Sequence, residues 1–219
     1  MESHKFFHFE DDDETIDIKI PEVVDPSYGM YVWPCAPVLA QYVWFNRHSI
    51  RDRTVLEVGA GTSLPGVVAS KCGAKVILSD DARLPKCLEN CRKSCSANGL
   101  VGVEVVGITW GRFSADVISL PAVDVVLASD CFYDTKDFED VLATFCYLLN
   151  KNKHAQCWVT YQERSSDRSI EHLLTKFDLQ CTHIPLGMFN ADEPHLAGSN
   201  LPGDHTIQFL LITNKMAVT

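Results

Sequence analysis

Hydrophobic and polar positions along the 219-residue chain fall into two rhythms. Near the start, Ile16, Ile18 and Ile20 alternate with Asp17 and Lys19, the period of a half-buried strand, which Pro21 is expected to end. Residues 36–47, after the Pro34 to Pro37 stretch, predict a helix with Leu39, Val43 and Trp44 on one face. From Thr54 the pattern becomes strand, turn, helix. Strands are expected at TVLEVG, AKVILSD, VEVVG, VDVVLASD and AQCWVTYQ, and helices at 66–72, 83–97, 136–149 and 168–176. Two last strands, LQCTHIPL and HTIQFLLIT, flank a polar loop at 187–204. Near-continuous apolar strands alternating with helices predict an α/β fold with a parallel sheet covered on both faces. With no helical pattern between the last two strands, one of them should run antiparallel.

The division expected from this pattern is an N-terminal extension with a short strand (1–28), one domain (29–213) and a short tail (214–219). Residues 1–14 end in the charge run Asp11 to Glu14 and read as a solvated tail.

Composition narrows the class. Hydrophobic residues are 46% and charged ones 22%, which excludes a disordered chain, a collagen-like repeat and a disulfide miniprotein. The formal net charge of −10 argues against nucleic acid as a ligand and suits a basic protein partner. Nine cysteines with no C-x-x-C pair point to a reducing compartment rather than a disulfide framework. No stretch approaches the ~18 apolar residues of a membrane span, and the N-terminus has no apolar signal segment. The expectation is a soluble monomer that, at 24.4 kDa, is small enough for both nucleus and cytoplasm.

Candidate chemistry centres on Glu57-Val58-Gly59-Ala60-Gly61-Thr62, at the end of the first strand of the repeat. Glycines there let the backbone turn tightly and approach a ligand. Asp80 ends the next strand, at about the 20-residue offset where an acid meets a ribose hydroxyl. Leu64 stands where a dinucleotide fingerprint needs a third glycine, and no lysine precedes Lys71, so the loop is poorly built for phosphate. An acid before the first glycine tolerates a cation instead. S-adenosylmethionine fits, carrying an adenosine, an ammonium and a sulfonium but no phosphate.

Glu57-Val-Gly-Ala-Gly, Asp80, Trp110-Gly111, Asp130-Cys-Phe-Tyr133 and the Trp-bearing segment Tyr31-Val-Trp33-Pro34 together resemble the seven-β-strand methyltransferases, and within them family 16. The similarity runs from about residue 29 to residue 212. It implies a seven-stranded Rossmann-like sheet, mostly parallel with one antiparallel strand, and S-adenosylmethionine as cofactor. It implies that Trp33 lines the cofactor pocket, that Gly59, Ala60 and Gly61 lie under the methionine portion, and that Glu57 holds that loop. Asp80 would bind the ribose, Trp110 would stack on adenine, and Ala128 and Ser129 would lie beside the cofactor. The whole-chain similarity is to a branch acting on histone arginine, whereas lysine is the usual acceptor of the family.

Asp130 and Tyr133 sit past the fourth strand, at the edge where ligands bind in open α/β sheets. Methyl transfer needs a nitrogen held about 3 Å from an activated methyl carbon. Asp130 could orient a cationic side chain and Tyr133 could pack on it, which makes these two the candidate catalytic residues. Asp134 and Thr135 are expected to cap the following helix. Glu163 could supply a second carboxylate or could pair with Arg164. With no paired glutamates for a guanidinium fork, the residue chemistry favours lysine, so the two acceptors remain open. Cys87, Cys91 and Cys95 share one helix face and are read as core rather than zinc ligands. The loop at 187–204, with Met188, Phe189, Asp192, Glu193 and His195, is either an acceptor lid or a long connection. The expected partner is a basic protein such as a histone tail, with neither nucleic acid nor membrane. A cofactor-binding adaptor without turnover and a nicotinamide-binding protein are the rival classes.

Overall fold

Five parallel strands form the frame in which the site sits. The computed structural model describes residues 2–11, 14–23, 30–164, 169–200 and 206–215. Two strands, β1 (Glu2–Asp11) and β2 (Glu14–Val23), precede the helices α1 (Cys35–Phe45) and α2 (Arg47–Ile50). The repeat then runs β3 (Thr54–Val58), α3 (Leu64–Lys71), β4 (Lys75–Asp80), α4 (Pro85–Ala97), β5 (Glu104–Gly107), α5 (Ala115–Ser119), β6 (Val125–Ser129), α6 (Phe138–Lys151), β7 (Gln156–Gln162), α7 (Glu171–Lys176) and β8 (Leu179–Ile184). A 3-10 turn (Leu186–Phe189) and the two-residue strands β9 (His195–Leu196) and β10 (Ser199–Asn200) lead into β11 (Ile207–Asn214).

The main sheet has seven strands in the order β5-β4-β3-β6-β7-β11-β8. Strands β3 to β7 pair in parallel, and β11 pairs antiparallel with both β7 and β8. The expected single antiparallel strand is therefore the last. Alternate residues feed opposite layers, as the strand pleat requires. Val55, Leu78, Val125 and Leu127 join α1, α3 and α4. Leu56, Ile77, Val126 and Ala128 join α5, α6 and α7. Chain order reverses between β3 and β6, so a crevice opens beyond their C-terminal ends.

Most predicted elements fall where the pattern put them. Helix α3 starts two residues earlier than expected, because Pro65 fits the first helical turn, where its missing N–H costs nothing. Cys87, Cys91 and Cys95 are buried, as the core reading requires.

The N-terminal tail reading is overturned. Residues 2–11 and 14–23 pair as two antiparallel strands with Phe7 opposite Ile18 and Phe9 opposite Ile16. Phe7, Phe9, Ile18 and Ile20 are buried in the α1/α3/α4 layer. Pro21 does not end the strand, since a two-stranded ribbon leaves its missing N–H on an open side. Asp11 and Glu14 both pair with Arg47 of α2 rather than facing only water.

Candidate functional site

Backbone shape builds the loop after β3. Gly59, Gly61 and Ser63 all take left-handed φ angles (64°, 51° and 63°), so the chain doubles back twice within five residues before α3. A side chain on Gly59 would meet the Trp110 ring at 3.0 Å and Cys131 Sγ at 3.1 Å. The Ala60 amide donates to the Ser79 carbonyl (2.8 Å), and the Gly61 amide donates to Asp80 Oδ2 (2.7 Å). Asp80 is thus the loop's own anchor. Its Oδ1 accepts from the Asp81 amide (2.8 Å), and each oxygen keeps a second lone pair for a ligand hydroxyl. Burial pushes the Asp80 carboxyl above its ordinary range.

Glu57 was expected to hold this loop. Its Oε2 instead accepts from the Gly66 amide of α3 (2.9 Å), where a side chain on Gly66 would leave it no room. Glu57 Oε1 is buried with no partner among the described residues, as are both amide atoms of Asn90 on α4. Burial is the main cause that raises the Glu57 carboxyl from 4.5 to about 8, with Asp80's charge adding to it.

The aromatic residues line the same edge. Trp110 is half-buried across Gly59, and its ring lies 6.3 Å from that of Tyr133, tilted by 61°. Trp33 packs edge-on against Tyr31 (5.3 Å) at the entry to α1. The Thr160 hydroxyl donates to the Cys35 carbonyl (2.9 Å), which draws the start of α1 to the ends of β6 and β7. Ala128 is fully buried at the end of β6, while Ser129 is half-buried at the edge.

Asp130 takes a left-handed φ of 53°, held by its amide donating to the Thr160 carbonyl (2.7 Å). Its side chain is 9% exposed and bound by Arg164 in a two-pronged fork, Nη1 to Oδ1 at 3.0 Å and Nη2 to Oδ2 at 2.7 Å. The sequence reading offered Glu163 as Arg164's partner. Glu163 accepts instead from Gln208 Nε2 (2.8 Å), across the sheet on β11. Asp134 and Thr135 do not cap α6, whose N-cap is Asp137, but Asp134 closes the turn before it by accepting from the Lys136 amide (3.1 Å). Cys131 is buried against the Val58 carbonyl, and burial raises its thiol far out of the reactive range.

The model of the family described as lysine methyltransferase, methyltransferase family 16, matches residues 11–176. The chain belongs to this methyltransferase family. It is 56% identical to the histone-arginine methyltransferase METTL23 of Xenopus laevis, over 92% of this chain and 86% of that one. The Homo sapiens protein of the same name is 56% identical over 84% of this chain and 97% of its own. The protein-lysine methyltransferase METTL21E of Bos taurus is 30% identical over 75% of this chain and 58% of that one. Among solved structures, the ribosomal protein L11 methylase of Lactobacillus delbrueckii subsp. bulgaricus superimposes with a TM-score of 0.55 at 15% identity, covering 81% of this chain and 77% of that one.

For a family 16 methyltransferase the crevice must take S-adenosylmethionine, and the residues fit that group. Glu57 and Asp80 put buried carboxylate oxygens with spare lone pairs around the glycine turn, suited to an ammonium and to sugar hydroxyls. The Trp110 ring offers a stacking face beside them. Within the loop expected at 187–204, the described residues 187–200 pack mainly as a connection. Phe189, Ala191 and Leu196 are buried, Phe189 sits 5.0 Å from the Tyr42 ring, and Ala197 accepts from the His8 amide of β1. Met188 remains 64% exposed; residues 201–205 lie outside the described residues. Neither local periodicity nor motif spacing pointed to Arg164 or Cys35, both of which face Asp130.

Proposed function

We propose that the protein transfers the methyl group of S-adenosylmethionine to a side-chain nitrogen of arginine in a histone tail, in nucleus and cytoplasm alike. The observation that carries the acceptor assignment is the fork at Asp130: this carboxylate, at the mouth of the crevice, already binds a guanidinium through both oxygens. The relatives named for histone arginine, at 50–56% identity, support the same reading.

When bound, S-adenosylmethionine supplies a methyl carbon activated by a sulfonium. The chain's own residues do the rest. Asp130 orients the acceptor's planar head, and Tyr133, half-exposed beside it, gives the cation an aromatic face. Cys131 packs on Gly59, so the acceptor carboxylate and the glycine turn are joined through one residue. Trp33 and Tyr31 pack edge to face ahead of α1, whose start is tied to the ends of β6 and β7. Asp134, Asp137 and Asp140 crowd the rim. The Asp137 carboxyl is raised first by partial burial and then by those like charges. Such a rim attracts a basic tail.

A second reading, lysine in another basic protein, draws on the family description and the METTL21E relatives. One experiment separates the two: transfer of labelled methyl to core histones and to a fractionated cell extract, followed by acid hydrolysis and amino-acid analysis. Methylarginine on histones is the expected product. Methyllysine would replace the arginine reading, and no labelled protein despite S-adenosylhomocysteine binding would favour an adaptor. Asp130→Ala should cut transfer at least a hundredfold, an interaction lost mainly at the acceptor, with donor affinity nearly unchanged.

A further inference from the structure

Arg164, just past the end of β7, fills the carboxylate that the acceptor needs. Its Nη1 and Nη2 bind the two oxygens of Asp130, and Nη1 also reaches the Gln162 carbonyl (3.3 Å). The carboxylate is firmly set: its side chain is 9% exposed, its backbone is fixed in the left-handed region, and Oδ1 takes the Gln162 amide as well (3.4 Å). The Cys35 thiol faces it from α1. The guanidinium is the more accessible half of the pair, since the Arg164 side chain is 31% exposed at the end of a long stem.

The geometry points to Arg164 as an internal stand-in for the acceptor, holding Asp130 until an incoming cationic side chain displaces it. The inference rests on the arginine reading above. Exchanging one fork for another preserves two parallel charge-assisted hydrogen bonds at Asp130. An ammonium is a point charge that cannot supply both in the same plane, so lysine would have to evict Arg164 and leave a largely buried carboxylate under-bonded. Self-occupancy also lowers the apparent affinity for every acceptor by the fraction of molecules in which Asp130 is open. Arg164 is thus a positioning residue that keeps Asp130 charged and oriented until an acceptor arrives, not a catalytic one.

The test uses the full chain and two peptides of one sequence that differ only in carrying arginine or lysine as the single acceptor. In Arg164→Ala, KM should fall by about tenfold, the order of one charged hydrogen bond, for the arginine and the lysine peptide alike, with the arginine-to-lysine ratio of kcat/KM kept. Arg164→Lys should lie between. A KM unchanged for both peptides in Arg164→Ala would overturn the inference. A second measurement uses the unaltered protein and needs neither a stable variant nor turnover. The 15N resonance of Arg164 Nε is followed as each peptide is added with S-adenosylhomocysteine present. It should move to a solvent-like position with the arginine peptide and, at equal concentration, less far with the lysine peptide; a resonance unmoved by saturating arginine peptide would sink the idea. Failure of the wild-type protein to methylate any histone arginine would refute the activity reading alone, because the displacement remains readable by resonance.

Discussion

Glu57 is a carboxyl buried from water, with one oxygen on the Gly66 amide and the other without a partner among the described residues. Its folded value of about 8 against an ordinary 4.5 has a definite sign. Between those values the folded protein keeps a proton that the unfolded chain has released. The unfolded state binds fewer protons, so stability falls as pH rises, by up to about 1.4 kcal/mol per pH unit. The contribution is complete below pH 4.5 and gone above about 8. Glu57→Gln keeps the shape of the protonated acid and cannot titrate. Urea midpoints of both proteins, measured from pH 5 to 9 without methyl donor, should therefore diverge, the wild type losing ground as pH rises. Parallel profiles would mean that Glu57 is ionised in the folded state and has a partner there. At this scale the sequence was informative about identity but not about pairing. The acid before the glycine turn was legible as a motif, yet its contact with α3, and the transfer of the loop to Asp80, depend on side chains that meet only once the sheet has formed.

The hairpin β1–β2 shows what one element adds. Its inner residues cover α3 and α4, and Asn98, at the C-cap of α4, fixes it in place. The Asn98 amide donates to the Lys19 carbonyl (2.7 Å) and accepts from the Lys19 amide (2.9 Å), doing for this stretch of β2 what a neighbouring strand would do. A third bond runs from Asn98 to the Ser94 carbonyl (2.7 Å). Asn98→Ala should lower stability by about 2 kcal/mol, two to three modest hydrogen bonds, as read by urea denaturation, with kcat retained well below the midpoint. A change under about 0.5 kcal/mol, the usual size for a surface site, would show that apolar packing alone holds the hairpin. The hairpin was hidden by the charge run at 11–14, although Phe7 and Phe9 already alternate with His8. The strands of the repeat were readable because burial on both faces makes them continuous apolar runs. Arg164's partner was legible in principle too. The Arg164 side chain reaches Asp130, while that of its neighbour Glu163 turns the other way to Gln208, the alternation of an extended chain. What no local pattern carries is the 34-residue separation between Asp130 and Arg164, closed only by the β6–β7 pairing.

The whole molecule is acidic, with 29 Asp and Glu against 19 Lys and Arg. Part of that excess stands at the acceptor rim, where Asp134, Asp137 and Asp140 follow β6. Such a field steers a basic tail toward the crevice before any contact forms, and it acts through solvent, so dissolved ions weaken it. The Asp130–Arg164 fork is mostly shielded from solvent and therefore far less sensitive to salt. These two terms separate in one titration. Raising salt from 0.1 M toward 1 M shortens the screening length from about 10 Å to about 3 Å. KM for a histone-tail peptide should then rise severalfold, while kcat at saturation, set by the aligned acceptor, stays nearly constant. A peptide with the same arginine but neutral flanking residues should show a high KM throughout and little salt response. An equal rise in KM for both peptides would place the attraction at the acceptor arginine itself, and the acidic rim would then have no part in recruiting the tail.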